Sequence, residues 1–230
     1  MKPIVAIAGL LREHPETSAW KYRECFVNEA YTSQIANAQA IPYILPYVDA
    51  KYFEELLAPC SALLVPGGMD FDSSYYGEAK NELTLPPDPQ MDFTQLELIK
   101  TAHKMGKWVF GICRGFQGIN ITCGGSLYQD ISEQRPESIV HMRKDTPYEP
   151  VHKVYLNEGT HLYEMYGKKE ILVNSLHHQG IKTLGKNLTA AAVSEDGITE
   201  GIEGDHILAV QWHPEALSTP FFDYIVKLLK

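Results

Sequence analysis

Three short segments carry side chains that could act together on a carbonyl carbon. The first is Gly111-Ile112-Cys113-Arg114-Gly115, between a β-rich apolar run and a helical pattern. A nucleophile on a strand-to-helix turn needs small neighbours on both sides, because the backbone bends tightly there. Such a turn also sets the thiol beside helix N–H groups, which favour the thiolate. Read alone, the pattern equally suits a buried cysteine beside two turn glycines. The second segment is Gln211-Trp212-His213-Pro214-Glu215. A thiol needs a base, and the base needs an orienting acceptor. His213 and Glu215 are two apart, so in extended chain both can point one way and the carboxylate can fix the imidazole tautomer. Alone, this triplet also suits a loop detail. The third is Val65-Pro66-Gly67-Gly68-Met69-Asp70, after a strand. The N–H groups of Gly67 and Gly68, with that of Arg114, could meet a developing oxyanion, or the segment could be a plain tight turn.

A fourth polar segment, Asn174-Ser175-Leu176-His177-His178-Gln179, follows another strand. Its adjacent histidines suggest metal, but neighbours on a strand point apart, and no His-Glu-x-x-His or Cys-x-x-Cys accompanies them. Neither metal nor cofactor is expected. The four cysteines, at 25, 60, 113 and 123, match no zinc or redox spacing and are expected as free thiols. Cys25, Cys60 and Cys123 read as small buried hydrophobes.

The elements that must position these groups alternate. Strands are expected at Pro3–Ala8, Ile41–Leu45, Ala62–Val65 and Trp108–Ile112, with Pro42 placing the second near its start or at a sheet edge. Helices are expected over Trp20–Gln39, from a cap at Asp49 to Leu57, from a cap at Asp92 to Met105, and over Arg114–Cys123. That alternation predicts an α/β fold, a mostly parallel sheet with helices on both faces. The later chain reads as a small antiparallel β section: Val151–Leu156, Ile171–Val173, Leu188–Val193, Ile198–Ile202 and Ile207–Gln211, with a hairpin through Glu195-Asp196-Gly197. Thr219 is expected to cap a final helix carrying Pro220 in its first turn. Asp70–Gln90 and Gln129–Pro150 read as long loops, a frequent location of functional residues. No linker or boundary divides residues 1–230, so one domain is expected.

The chain has 230 residues, 44% hydrophobic and 21% charged, which excludes a disordered or fibrous protein. Its net charge of −9 repels phosphate backbones and anionic lipids, so neither nucleic acid nor membrane is an expected partner. The N-terminal apolar run has no small-residue cleavage site and reads as a strand, which places the protein in the cytoplasm. Two Asn-x-Thr triplets, at Asn120 and Asn187, are then chance matches. A homodimer is an assembly that the sequence permits.

Taken in order, these motifs resemble the class I glutamine amidotransferase-like superfamily, and within it the γ-glutamyl-γ-aminobutyrate hydrolase family. The resemblance rests on Ile41-Pro42, Pro66-Gly67-Gly68 with Asp70, Tyr76-Gly77-Glu78, Gly111 to Gln117, Gly124-Gly125-Ser126-Leu127-Tyr128-Gln129-Asp130, Asn174 to Gln179 and Gln211 to Glu215. It implies a flavodoxin-like sheet and thiol attack on a γ-glutamyl amide. Cys113 would carry a γ-glutamyl thioester, His213 would move the proton, and Glu215 would orient His213. Gly67, Gly68 and Arg114 would supply oxyanion and backbone contacts. Gln117, His177, His178 and Gln179 match positions that hold the glutamyl head group. The chain departs from the family's pattern at Ser73 and Met91-Asp92, where proline and arginine-aspartate are common. The amine half of the substrate is expected against the 70–90 loop, at Tyr76 among Tyr75, Asp72, Glu78 and Glu82. Those groups would favour an apolar or cationic leaving half. A glutaminase subunit feeding ammonia to a separate synthetase would use the same triad and is the alternative.

Overall fold

The computed structural model describes residues 1–13 and 22–230. The chain opens with β1 (Ile4–Ala8), whose residues alternate between two cores. Val5 and Ile7 join one cluster, and Ala6 and Ala8 join the other. A strand buried on both faces cannot show polar alternation, so its sequence is an unbroken apolar run. β2 (Leu10–Glu13) and β3 (Arg23–Phe26) form a separate antiparallel pair. The helix expected over 20–39 is therefore shorter. Residues 20 and 21 lie outside the described residues, Arg23–Phe26 is strand, and the helix itself, α1 (Glu29–Asn37), begins after Asn28, whose side chain accepts from Ala30 N–H.

β4 (Ile41–Leu45) follows, then α2 (Phe53–Leu57) and β5 (Ala62–Val65). α3 runs Pro89–Lys104. Its cap is Asp88, which accepts from Gln90 and Met91 N–H, and not the expected Asp92. Proline at the first helical position needs no donor and is pre-set in φ, so the helix starts one turn earlier. That shift moves Asp92 inside the helix, fully buried. β6 (Trp108–Ile112) and α4 (Arg114–Thr122) are placed as expected.

Further on come β7 (Ser126–Tyr128), α5 (Ile131–Gln134), β8 (His152–Leu156), α6 (His161–Tyr166), β9 (Glu170–Val173) and β10 (Gly180–Thr183). β7, β10 and the two short helices are absent from the sequence expectation, each being six residues or fewer and too short for its pattern to repeat distinctly. β11 (Thr189–Ser194), β12 (Thr199–Gly204) and β13 (Ile207–Val210) complete the sheet. α7 (Phe221–Lys227) closes the chain, with Pro220 in the cap position expected for Thr219 and no side-chain cap bond.

The sheet runs β4-β1-β5-β6-β13-β12-β11-β8-β9. The first five strands are parallel and the rest antiparallel. In chain order the parallel strands read 2-1-3-4-5, the flavodoxin-like winding, in which ligands sit beyond the carboxyl ends of the strands. β4 is the outer parallel strand and carries Pro42, as the edge expectation requires. α1 and α7 cover one face, with Ile35, Phe221 and Ile225 packed on Leu64 and Phe110. α2, α3 and α4 cover the other, with Phe53, Leu96 and Phe116 on Leu63 and Val65. Among the described residues no helix is long and apolar enough to cross a membrane.

Candidate active site

Three parallel strands end at one place. β6 delivers Cys113, β5 delivers Gly67 and Gly68, and β13 delivers His213. Cys113 holds φ +51° and ψ −103°, a conformation costly for a side chain with a Cβ. Neighbouring backbone enforces it. A Cβ on Gly115 would stand 2.0 Å from Val65 O, and one on Gly111 would stand 2.6 Å from Gly115 C. Both glycines of the elbow are thus required by close approach, because α4 is pressed onto β5 and β6. Cys113 is 6% exposed, at the N-terminus of α4.

His213 follows β13 and leads a short helical turn through Glu215. Its Nδ1 is 2.7 Å from Glu215 Oε1. Its Nε2 is buried with no hydrogen-bond partner among the described residues. A Cβ placed on Gly67 would lie 2.8 Å from His213 Cε1 and 3.5 Å from Cys113 Cβ, so imidazole and cysteine converge over that glycine. Burial opposes charging of His213, but the Cys113 sulfur and the Glu215 carboxylate outweigh it and raise the imidazole well above its ordinary range. A cysteine, an imidazole and a carboxylate paired with that imidazole are therefore brought together.

The backbone contacts differ from expectation at Gly67. Its N–H donates to Tyr31 Oη at 3.1 Å and so is not free for an oxyanion. Gly67 serves by making room, which leaves the N–H groups of Gly68 and Arg114 as candidate donors. Arg114 N–H stands in the first helical position, where no intrahelical acceptor exists. The Arg114 side chain is fully buried. It donates to Asp92 Oδ1 at 2.6 Å, Gln95 Oε1 at 2.8 Å and Met69 O at 2.5 Å, and lies 3.6 Å over the Phe71 ring. It thereby ties the elbow to the turn after β5, and Asp92 earns its place in α3 by neutralising it.

Two residues of this site escaped the sequence reading. Tyr31, on α1, braces Gly67. Burial first, and then Glu215, raise its phenol well above the usual range, so it stays neutral. Asn174 grips the His213 backbone from both sides, accepting from its N–H at 2.9 Å and donating to its carbonyl at 3.1 Å. A polar, irregular run after β9 was the only sequence signal for Asn174, and nothing local marked Tyr31.

A cavity of about 60 Å³ opens at Cys113, lined among others by Gly68, Asp70, Gln117, His178 and Gln179. Gln117 Nε2 donates to Gln211 Oε1 at 3.1 Å. Gln179 Nε2 donates to Gln129 O, and its Oε1 is buried and unpartnered among the described residues. His178 is held between Asp70 and Asp130, at 3.0 and 3.1 Å, and the Asp70 hydrogen bond leads in raising its pKa. His177 departs from expectation. Its ring lines the cavity, but Nδ1 faces Gln179 O at 2.9 Å and Nε2 faces Glu200. It offers the cavity no free polar atom.

The amine-side expectation also changes. Tyr76 lines neither this cavity nor its continuation and packs against the core, its hydroxyl buried. A groove of about 490 Å³ shares Leu85, Met142, His177 and His178 with the cavity and is otherwise lined by Leu83, Ile139, Val140 and Lys144 among others. The 70–90 loop meets it through Leu83 and Leu85, not through its acidic and aromatic residues. The remaining cysteines stand apart. Cys60 is buried as expected, whereas Cys25, on the β2–β3 pair, is exposed because that pair lies off the main sheet. Burial raises the pKa of Cys25, Cys60 and Cys123, so these are thiols at neutral pH.

His213→Ala is expected to lower kcat by on the order of 10⁴-fold or more, and Glu215→Gln by one to two orders of magnitude less, because glutamine keeps a polar partner for Nδ1. Steady-state kinetics with circular dichroism as the fold control checks both. Near-normal turnover in His213→Ala would place the base elsewhere.

Comparison with known proteins agrees with this geometry. The sequence profile of the family Peptidase C26 matches residues 3–215. Protein NtpR of Enterococcus hirae is 33% identical over 220 residues, covering 94% of this chain and 92% of its own. The gamma-glutamyl-gamma-aminobutyrate hydrolase PuuD of Escherichia coli K12 is 32% identical over 207 residues, covering 85% and 80%. A glutamine amidotransferase from Thermotoga maritima superposes with a TM-score of 0.59 at 15% identity over 94% of this chain and 77% of that one, a likeness of fold. With a profile match spanning the elbow, the Pro-Gly-Gly turn and the His-Pro-Glu segment, the chain belongs to the Peptidase C26 family of class I glutamine amidotransferase-like hydrolases.

Proposed function

We propose that the protein hydrolyses the γ-glutamyl amide bond of small γ-glutamyl compounds through a thioester on Cys113. The observation that carries this reading is the convergence of the strained Cys113 and the Glu215-bound His213 over Gly67, at the mouth of a small polar cavity. In the first half-reaction His213 Nε2 takes the thiol proton and the Cys113 sulfur bonds to the γ-carbonyl carbon. The oxyanion that forms is received by the N–H groups of Gly68 and Arg114. His213 Nε2 gives its proton to the departing nitrogen, the C–N bond breaks, and the amine leaves. In the second, His213 takes a proton from water as the oxygen bonds to the same carbon. The C–S bond breaks, glutamate departs and the thiol is restored. No step calls for a metal or cofactor, so none takes part in making or breaking bonds.

The glutamyl head, larger than the 60 Å³ cavity by itself, would enter it beside Cys113, with Asp70 the acidic residue of its lining and Gln117 and Gln179 supplying amides. The amine half would extend along the contiguous groove, whose apolar wall and Lys144 suit a short aliphatic chain, including one with an anionic end. That groove is more room than ammonia needs, which favours hydrolysis of substituted amides over a glutaminase role.

Measuring kcat/KM across a panel of γ-glutamyl amides, glutamine included, tests this reading. Substituted amides are expected to exceed glutamine by at least about tenfold. Leu85→Ala should change selectivity among amine halves by about tenfold and leave glutamine nearly unaffected. If glutamine proves the best substrate, the site serves ammonia supply. A uniform fall in Leu85→Ala would mean that this residue supports the head group.

A further inference from the structure

Behind the wall formed by His177–Gln179 lies a second cluster that the proposed chemistry does not use. His141, from the 129–150 loop, His152, at the start of β8, His177 and Glu200, on β12, are 3, 4, 3 and 0% exposed. One ligand atom each from His141, His152 and Glu200 lies within 4.8 Å of the others. His177 Nε2 and His141 Nδ1 are each 3.3 Å from Glu200 Oε1. The outer nitrogen of every ring is already engaged. His141 Nε2 faces Asp196 Oδ2 at 3.0 Å, His152 Nδ1 faces Lys153 O at 3.2 Å, and His177 Nδ1 faces Gln179 O at 2.9 Å.

In neutral rings those contacts leave the inner nitrogens as lone pairs turned toward Glu200. His152 Nε2, His177 Nε2 and both Glu200 oxygens are buried without a hydrogen-bond partner among the described residues. The remaining inner atom, His141 Nδ1, has only Ser175 Oγ, at 3.5 Å. A buried carboxylate with no hydrogen bond is costly unless a positive charge compensates it. Rings locked by outer carbonyl and carboxylate acceptors, with inner nitrogens bare, are the arrangement that supports metal-ligating histidines. Ligand atoms around Zn²⁺ at about 2.0–2.1 Å in a tetrahedron stand about 3.3–3.4 Å apart, the spacing of His141 Nδ1 from Glu200 Oε1.

We propose that His141, His152 and Glu200, with His177 beside Glu200, form a structural Zn²⁺ site that pins the 129–150 loop to the antiparallel half of the sheet. The three ligands lie behind the wall of the cavity, so the ion is structural and the Cys113 chemistry does not pass through it. The ligands lie 11 and 48 positions apart along the chain (141 to 152, 152 to 200), which is why no short spacing motif betrayed them.

The test uses the full-length protein, stripped with chelator, desalted and titrated with Zn²⁺ against a chromophoric chelator, with metal analysis by mass spectrometry. One Zn²⁺ per chain is expected, with a rise in Tm on Zn²⁺ addition and the visible absorption of tetrahedral Co²⁺ when cobalt replaces it. His152→Ala and Glu200→Gln should each weaken Zn²⁺ binding by at least about 100-fold. Should either variant fail to fold, the wild-type stoichiometry, Tm shift and cobalt spectrum still decide. Absence of stoichiometric uptake by the wild type would overturn the proposal and leave a charged hydrogen-bonded cluster with His141 as its cation. Undiminished binding in both variants would also overturn it, by placing the ion elsewhere.

Discussion

Cys113→Ala is expected to abolish turnover, with a fall in kcat on the order of 10⁴-fold or more, while the fold is retained. Alanine keeps the Cβ that the elbow already accommodates at φ +51°, so the backbone strain is unchanged and only the sulfur is lost. The other three cysteines cannot substitute, because none stands near His213 and burial holds each as a thiol. Treatment with a γ-glutamyl-mimicking electrophile followed by peptide mass spectrometry should find the adduct on Cys113. Cys25 is the informative competitor, since it is exposed on the β2–β3 pair whereas Cys113 is buried. A reagent that follows exposure would mark Cys25, and one that follows activation marks Cys113. Labelling chiefly at Cys25, or residual turnover in Cys113→Ala, would sink the assignment.

The largest expected effect on stability comes from the ion pair beneath the elbow. Asp92→Asn leaves a fully buried guanidinium without its counter-charge, and should cost about 3–5 kcal/mol. For a chain of this size that corresponds to a drop in Tm of roughly 6–20 °C. Arg114 also donates to Gln95 and Met69 O and spans Gly68, where an added Cβ would lie 2.8 Å from Arg114 Cδ. Loosening it should therefore disturb the backbone donors after β5, and kcat should fall further than the lost stability explains at temperatures where the variant is folded. Urea unfolding of wild type and Asp92→Asn, paired with kinetics well below Tm, separates the two effects. A cost below about 1 kcal/mol would mean that the pair is solvated in a way its burial does not suggest.

Much of the local geometry of the candidate site was legible from residue order alone. The elbow announces itself because glycines at 111 and 115 bracket a cysteine, and the steric need behind them is local: α4 lies directly on β5 and β6. His213 and Glu215 are two apart, so their pairing is a matter of local chain geometry, and the 2.7 Å contact follows from it. The parallel half was equally legible, since strands buried on both faces read as apolar runs bounded by turns. The Asp92 reading failed for a local reason as well. Asp88 and Asp92 are both plausible caps, and Pro89 decided between them.

What only the tertiary structure decided lies at long sequence separation. Tyr31 meets Gly67 across 36 positions and Asn174 meets His213 across 39. The direction of His177, toward Glu200 and away from a substrate, is set by the contact of its segment with β12. Sheet register and helix docking create these contacts, and neither leaves a mark on neighbouring residues in the chain. The sequence by itself determined that Cys113 sits on a tight strand-to-helix turn and that His213 and Glu215 can pair, because both depend on residue type and spacing within one turn or strand. Which N–H remains free for an oxyanion, which loop residues wall the groove, and whether four scattered polar residues share one buried point were decided by packing, because each depends on distances between segments that only the folded sheet brings together.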